Sequence, residues 1–262
     1  MSFFVVGLVA LVVSGLTLFT GFGLGTLLLP AFALFFAVPV AVAATAVVHA
    51  ANNVFKVMLL HATADWRIVL RFGIPAVLAA FFGAWLLTTL SAFEPVAVWF
   101  VGEREAVITP VKLVMGLLIF GFAIIDLIPK SHGLQVDTRW LPMGGVLSGF
   151  FGGLSGHQGA LRAAFLRRVH LTPSAFAATQ AVIASLVDGA RLTVYGAEYF
   201  RGKMGGIETK QQWSLVAVAT ILAFVGALVG RSLLPKVTLG LLRGITGVML
   251  LIVAVALGLG LI

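Results

Sequence analysis

The chain has no cysteine among its 262 residues, which excludes disulfides, thiolate metal sites and thiol relays. Charge is nearly as scarce. Asp, Glu, Lys and Arg make up 10% of the chain, and none of the four occurs before Lys56. There is no P-loop, no dinucleotide-binding glycine pattern in a βαβ setting and no HExxH spacing, so no cofactor and no bound metal are expected. The first residues lack the basic segment of a cleavable signal peptide, and the first apolar stretch is expected to stay in the mature protein.

What is present is apolar: 61% hydrophobic residues with a mean hydropathy of +1.14. At about 20 residues per crossing, this predicts an all-α polytopic membrane protein of seven or eight transmembrane helices, with no separate soluble domain. The net charge of +8 comes from 17 Lys and Arg residues scattered through the connections. That scatter suits lipid headgroups and argues against a nucleic acid partner.

One polar run stands out. Ser148 to Arg162 carries five glycines, a histidine, a glutamine and an arginine inside an otherwise apolar span. Glycine permits positive φ and close helix approach, so Gly152, Gly153, Gly156 and Gly159 are candidates for a helix break. Backbone freed at membrane depth survives only against protein or a wet cavity, and the half-helix N-termini created there attract anions. The first 55 residues pose a related problem. As one helix they would be roughly 80 Å long, far beyond one crossing. Gly21, Gly23 and Gly25 with Pro30 and Pro39 therefore predict a broken or re-entrant segment around 21–39, followed by a helix over 40–61. Further apolar segments run over 68–91, 108–128, 140–161, 174–196, 213–234 and 237–262.

The two halves resemble one another. At an offset of 134 residues, positions 14–45 show nine identities, among them Ser14 with Ser148, Gly15 with Gly149, Gly25 with Gly159, Pro39 with Pro173 and Thr45 with Thr179. Such self-similarity predicts a duplicated unit, with residues 1–128 as the first repeat, 129–139 as a connecting loop and 140–262 as the second repeat. Parity leaves the relation open. Four full crossings per half make the repeats parallel, whereas a re-entrant piece in each half inverts them. Counted as eight spans, Lys and Arg divide almost evenly between the two sides and do not fix the orientation.

Two helices carry polar faces. Thr45, His49, Asn52 and Lys56 follow helical spacing, with Asn53 alongside. The face either lines a substrate cavity or glues helices together while Lys56 snorkels. In the second half, Asp188, Arg191 and Tyr195 share a face, with Thr179 and Gln180 upstream. Asp188 and Arg191 either mute one another as an i, i+3 pair or leave part of the arginine fork for an oxyanion. Together, Asn52, Asn53, Lys56, His157, Gln158, Arg162 and Arg191 are the expected substrate contacts, with Arg191 ranked ahead of Arg162. His49 and Asp188 are the candidates for a coupled proton. Thr45, Thr179 and the glycines named above are expected along the pathway.

The run Ala43 to Lys56, the Asp65-Trp66 after it and the segment Gly152 to Arg162 together resemble the TauE/SafE family of membrane permeases. The resemblance implies a multi-pass permease of the bacterial inner membrane that exports sulfite, sulfoacetate or related organosulfonates; the coupled proton rests on His49 and Asp188 alone. An importer of the same anions or of carboxylates is the nearest alternative. An intramembrane enzyme or sensor is the rival from another class, and the sequence offers it no adequate nucleophile or metal set. The small-residue faces would serve a homodimer as well as the fold's own helices.

Overall fold

The computed structural model describes residues 2–20, 23–102, 104–127, 138–166, 169, 171–233 and 239–261. Gly21 and positions 129–137 of the expected connecting loop lie outside the described residues. Among the described residues, ten α-helices follow in order: α1 (Ser2–Thr20), α2 (Leu24–Ala33), α3 (Val38–Leu60), α4 (Trp66–Ser91), α5 (Pro110–Leu127), α6 (Leu141–Ser155), α7 (Gly159–Leu166), α8 (Pro173–Phe200), α9 (Lys210–Leu233) and α10 (Leu239–Gly258). Among the described residues, α3, α4 and the Lys210–Gly230 stretch of α9 are long and apolar enough to cross a membrane by length and composition. α8 is longer still, but its polar face lowers its hydropathy.

The expected spans 40–61, 68–91 and 108–128 correspond to α3, α4 and α5. The expected 140–161 helix is instead two. α6 stops at Gly156, whose φ of 81° only glycine adopts without strain and whose N–H bonds the Gly152 carbonyl at 3.0 Å. After the turn at His157 and Gln158, α7 doubles back, bringing Phe165 beside Gly144 at the start of α6. α2 doubles back in the same way. It begins past Gly23, at φ 126°, with Gly25 beside the His49 ring in the middle of α3, and it ends four residues before α3 starts. At about 15 and 12 Å, α2 and α7 are too short to cross a bilayer. The two turns meet: a Cβ on Gly25 would stand 3.0 Å from the Gly156 carbonyl oxygen.

Helix directions follow from the contacts. Ser14 meets Asn52 and Thr17 meets Lys56, so α1 and α3 are parallel. Gly15 lies against Gly226 and Gly230, and Gly7 against Leu222, so α1 is parallel to α9. Gly145, Gly149 and Gly153 lie against Phe72, Ala76 and Ala80 in that order, so α6 is parallel to α4. α3 and α8 run antiparallel, since Thr63 just past α3 touches Ser174 at the start of α8 while His49 touches Asp188. α5 and α10 are antiparallel too, with Gly116 beside Ala254 and Gly258 and Gly247 beside Leu127. One face of the bundle therefore holds the start of α1, the α2–α3 turn, the α8–α9 connection and the end of α10. The other holds the α3–α4 turn and the start of α8.

Gly152 and Gly153 are expected at a break, but both sit inside α6. Gly153 and Gly149 let the α6 backbone touch that of α4, and a Cβ on either would overlap an α4 carbonyl. Backbone cannot yield as a side chain can. Gly149→Val is expected to cost about 3 kcal/mol or more, whereas Gly121→Ala, with nothing within 4 Å of the added carbon, should be neutral or slightly stabilising. Detergent melting temperatures of the two variants check this, and equal values would overturn the packing argument.

Among the described residues, the strands form one hairpin, between α4 and α5. β1 (Ala97–Val101) pairs antiparallel with β2 (Arg104–Ile108), Ala97 opposite Ile108. The β-branched and aromatic run Ala-Val-Trp-Phe-Val suits extended backbone, and Gly102 at φ 62° serves the turn. The end of α10 clasps it: Trp99 Nε1 donates to the Leu259 carbonyl at 2.9 Å, and the Val107 N–H donates to the Gly260 carbonyl at 3.2 Å.

Candidate functional site

The two helix breaks, α3 and α8 converge on one buried polar cluster with Asp188 at its hub. Its carboxylate accepts from five donors. Oδ2 faces His49 Nδ1 at 2.7 Å and Asn53 Nδ2 at 3.1 Å, and Oδ1 faces Gln158 Nε2 at 2.9 Å and Arg191 Nε and Nη2 at 3.0 and 2.7 Å. Against a carboxylate, Nδ1 of His49 carries the hydrogen and donates. Arg191 also reaches the Gly152 carbonyl at 3.4 Å, and Tyr195 donates from its hydroxyl to the Gly153 carbonyl, so α8 is laced onto α6 just before the break.

A cavity of about 30 Å³, room for about two waters, lies beside this hub. Thr17, Gly23, Leu24, His49, Asn53, Lys56, Arg162, Ala177, Gln180 and Ala181 line it. Its size in this state suits a small solute only. Lys56 is 7% exposed and donates to Thr17 Oγ1 at 3.1 Å, and no carboxylate lies within 4 Å of it among the described residues. Arg162 donates from Nε to Gln180 Oε1 at 3.0 Å and from Nη1 to Gln158 Oε1 at 2.8 Å. Because Arg162 takes the Gln180 oxygen, the amide nitrogen of Gln180 is turned away from it, buried and without a partner. An unbonded buried N–H₂ is costly, and here it borders a cavity that already holds two cations.

The expected contacts thus separate into two groups. Asn53, Lys56, Arg162 and His49 line the cavity. Gln158, Asp188 and Arg191 form the layer behind it, and Gln158 links the two by accepting from Arg162 and donating to Asp188. The ranking of Arg191 over Arg162 does not match this placement, because Arg191 is fully buried and spends its Nε and Nη2 on Asp188. Asn52 is not part of the lining and accepts from Ser14 at 3.2 Å. His157 stacks flat on Phe122, with ring centroids 5.2 Å apart, and its Nδ1 meets Ser155. Thr179 accepts the Asp65 N–H at 2.9 Å and so ties the start of α4 to α8. Thr45 is buried with its hydroxyl unpartnered, away from the lining. Gly23 lines the cavity, and Gly25, Gly156 and Gly159 sit at the two breaks.

Sequence reasoning did not place Gln180 and Thr17 in the site. Gln180 stands eight residues before Asp188, a spacing that puts both on neighbouring faces of α8, and this was the available signal. Thr17 carries none, since a threonine in an apolar helix is unremarkable until its neighbour is known.

Long apolar helices around a buried cavity lined by Lys56 and Arg162 fit a multi-pass membrane protein. The family model described as Sulfite exporter TauE/SafE matches residues 3–257, and the chain belongs to this family of membrane transporters. Among curated proteins and among solved structures, nothing matches.

Proposed function

We propose that this protein exports a small sulfur oxyanion, sulfite or an organosulfonate of the sulfoacetate type, across the bacterial inner membrane, and that the anion rests between Lys56, Arg162, Asn53 and Gln180. The observation that carries this reading is Lys56: an ammonium held inside the bundle beside Arg162 with no carboxylate within 4 Å among the described residues. A buried cation needs a counter-charge, and an incoming anion supplies it. Donors from three helices suit an oxyanion with several oxygens to satisfy. The family name supports sulfur as the central atom.

The two halves act as inverted repeats in this reading. Support comes from exchanging α1–α5 with α6–α10: the α1–α9 pair becomes α6–α4, the α3–α9 pair becomes α8–α4, and the α3–α8 and α5–α10 pairs, each antiparallel, map onto themselves. Substrate sites in such folds form where discontinuous helices meet, and here the two breaks touch.

An inside-negative potential favours anion exit by about 2.3 kcal/mol per charge per 100 mV, so export requires no nucleotide. His49 lines the cavity and bonds Asp188, which makes this pair the carrier of any coupled proton. The test is efflux of sulfite, sulfoacetate, taurine, thiosulfate, sulfate, phosphate and acetate from liposomes containing the purified protein, with voltage and pH gradient imposed separately. Sulfite or sulfoacetate efflux that rises with inside-negative voltage is expected, and a dependence on the pH gradient at fixed voltage is expected from the His49–Asp188 pair. No flux of any sulfur anion would overturn the substrate reading. Indifference to the pH gradient would remove the coupling.

A further inference from the structure

The helix directions change how the charges are counted. Because α2 and α7 double back, each half contributes an odd number of full crossings, and connections that an eight-span scheme assigns to opposite sides fall on the same one. The face holding the α3–α4 turn also receives the α5–α6, α7–α8 and α9–α10 connections. By sequence position, Arg67 and Arg71 belong to the first of these, Lys130 and Arg139 to the second, Arg167 and Arg168 to the third, and Arg231, Lys236 and Arg243 to the fourth: nine basic residues in all. The opposite face takes Arg104, Lys112, Arg201, Lys203 and Lys210, five in all, while Lys56, Arg162 and Arg191 belong to the interior cluster. Acidic residues contribute little to the orienting rule and divide less unevenly. Five glutamates (94, 103, 105, 198 and 208) fall on the less basic face and three aspartates (65, 126 and 137) on the more basic one. All of these connections are short, the regime in which Lys and Arg bias orients a membrane protein with its basic side in the cytoplasm.

The cavity lies toward that same basic face. Lys56 is one turn from the end of α3, and Ala177 is one turn from the start of α8. By the 134-residue offset, the counterparts of five polar lining residues are Leu28 for Arg162, Ala46 for Gln180, Ile183 for His49, Val187 for Asn53 and Ala190 for Lys56, whereas Gly23 and Leu24 correspond to His157 and Gln158. All five are apolar, and each is at most 6% exposed. The charged and amide groups of the lining therefore have no polar counterparts across the offset, where the equivalent positions are buried and apolar.

We propose that α1 begins and α10 ends on the extracytoplasmic side, and that the cavity of Lys56 and Arg162 is the cytoplasmic loading site. The orientation does not depend on which anion is carried. The wild-type chain, free of cysteine, is its own background for single-cysteine labelling. Glu208→Cys, in the exposed α8–α9 connection, should react with a membrane-impermeant maleimide on intact bacterial cells. Thr138→Cys, exposed just before α6, should react only after the cells are opened. The reverse pattern, or equal labelling of both in intact cells, overturns the proposal. Fusions after Ile262 decide the case in which neither thiol reacts: alkaline phosphatase active and green fluorescent protein dark supports the proposal, and the opposite pair overturns it. Ala177→Cys, in the cavity wall, should react in inside-out vesicles and stay protected in intact cells. Labelling only from outside would refute cytoplasmic loading, whatever the transport assay shows.

Discussion

Asp188→Ala is expected to abolish recovery of folded protein from the membrane. The substitution removes the acceptor of five donors at once and leaves Arg191 fully buried with only the Gly152 carbonyl and the Tyr195 hydroxyl for company, neither of them a counter-charge. Breaking a buried ion pair by deleting one partner costs about 3–5 kcal/mol, and His49, Gln158 and Asn53 each lose a bond as well. Against a typical total stability of about 5–15 kcal/mol, that is a large fraction. Asp188→Asn keeps the size and some of the acceptors, so it should recover part of the yield. The double variant Asp188→Ala/Arg191→Ala should be less damaged than Asp188→Ala alone, because the stranded charge is gone. Size-exclusion profiles of the three variants measure this. A monodisperse Asp188→Ala protein with wild-type melting would contradict the hub assignment.

Lys56→Ala is expected to do the opposite: keep the fold and lose the anion. Its removal relieves a buried charge that no carboxylate among the described residues compensates, so the unliganded melting temperature should stay level or rise. Binding should fall by about 2–5 kcal/mol, a roughly 30-fold to several-thousand-fold weaker Kd, and Arg162→Ala should lose affinity within the same range. Calorimetry or ligand-induced melting shifts with sulfite would read both. Saturating anion stabilises a wild-type protein by about 2.7 kcal/mol at 100 times its Kd, and at the same anion concentration that gain should fall to about 0.9 kcal/mol or less in both variants. Arg191→Ala is the informative contrast. Arg191 does not border the cavity, so its loss should lower stability more than affinity. Wild-type Kd values in Lys56→Ala and Arg162→Ala would move the site elsewhere.

The helices were largely legible in the sequence because their signal is one-dimensional. The bounds expected for α3, α4 and α5 fall within about two residues of those observed, since lipid demands long apolar runs and the charged connections interrupt them. The break at Gly156 was legible for a similar reason, as a glycine run in a membrane span has few other uses. The hairpin was not. Its first strand is apolar like the helices around it, and its tie to Leu259 and Gly260 joins residues about 160 apart in sequence. Helical periodicity put His49, Asn52, Asn53 and Lys56 together on α3, but it does not say which neighbours face them. Ser14 takes Asn52 and the cavity takes Lys56. For Asp188 and Arg191, spacing allowed both a closed pair and an open fork, and only the position of the cavity separates the two. Orientation was hidden for a simpler reason: whether α2 and α7 cross the membrane changes the side of nearly every later connection.

The pairing of α1 with α9 makes assembly of this protein a matter of waiting. Gly15 of α1 finds its partners in Gly226 and Gly230, which emerge from the ribosome roughly 210 residues after α1 is complete. At about 5–20 residues per second, the first helix made spends roughly 10–40 s in the bilayer with its glycine face turned to lipid. A nascent chain stalled anywhere before α9 therefore holds an unmated first helix and an unfinished site, and it differs visibly from the finished protein to whatever machinery inspects newly inserted segments.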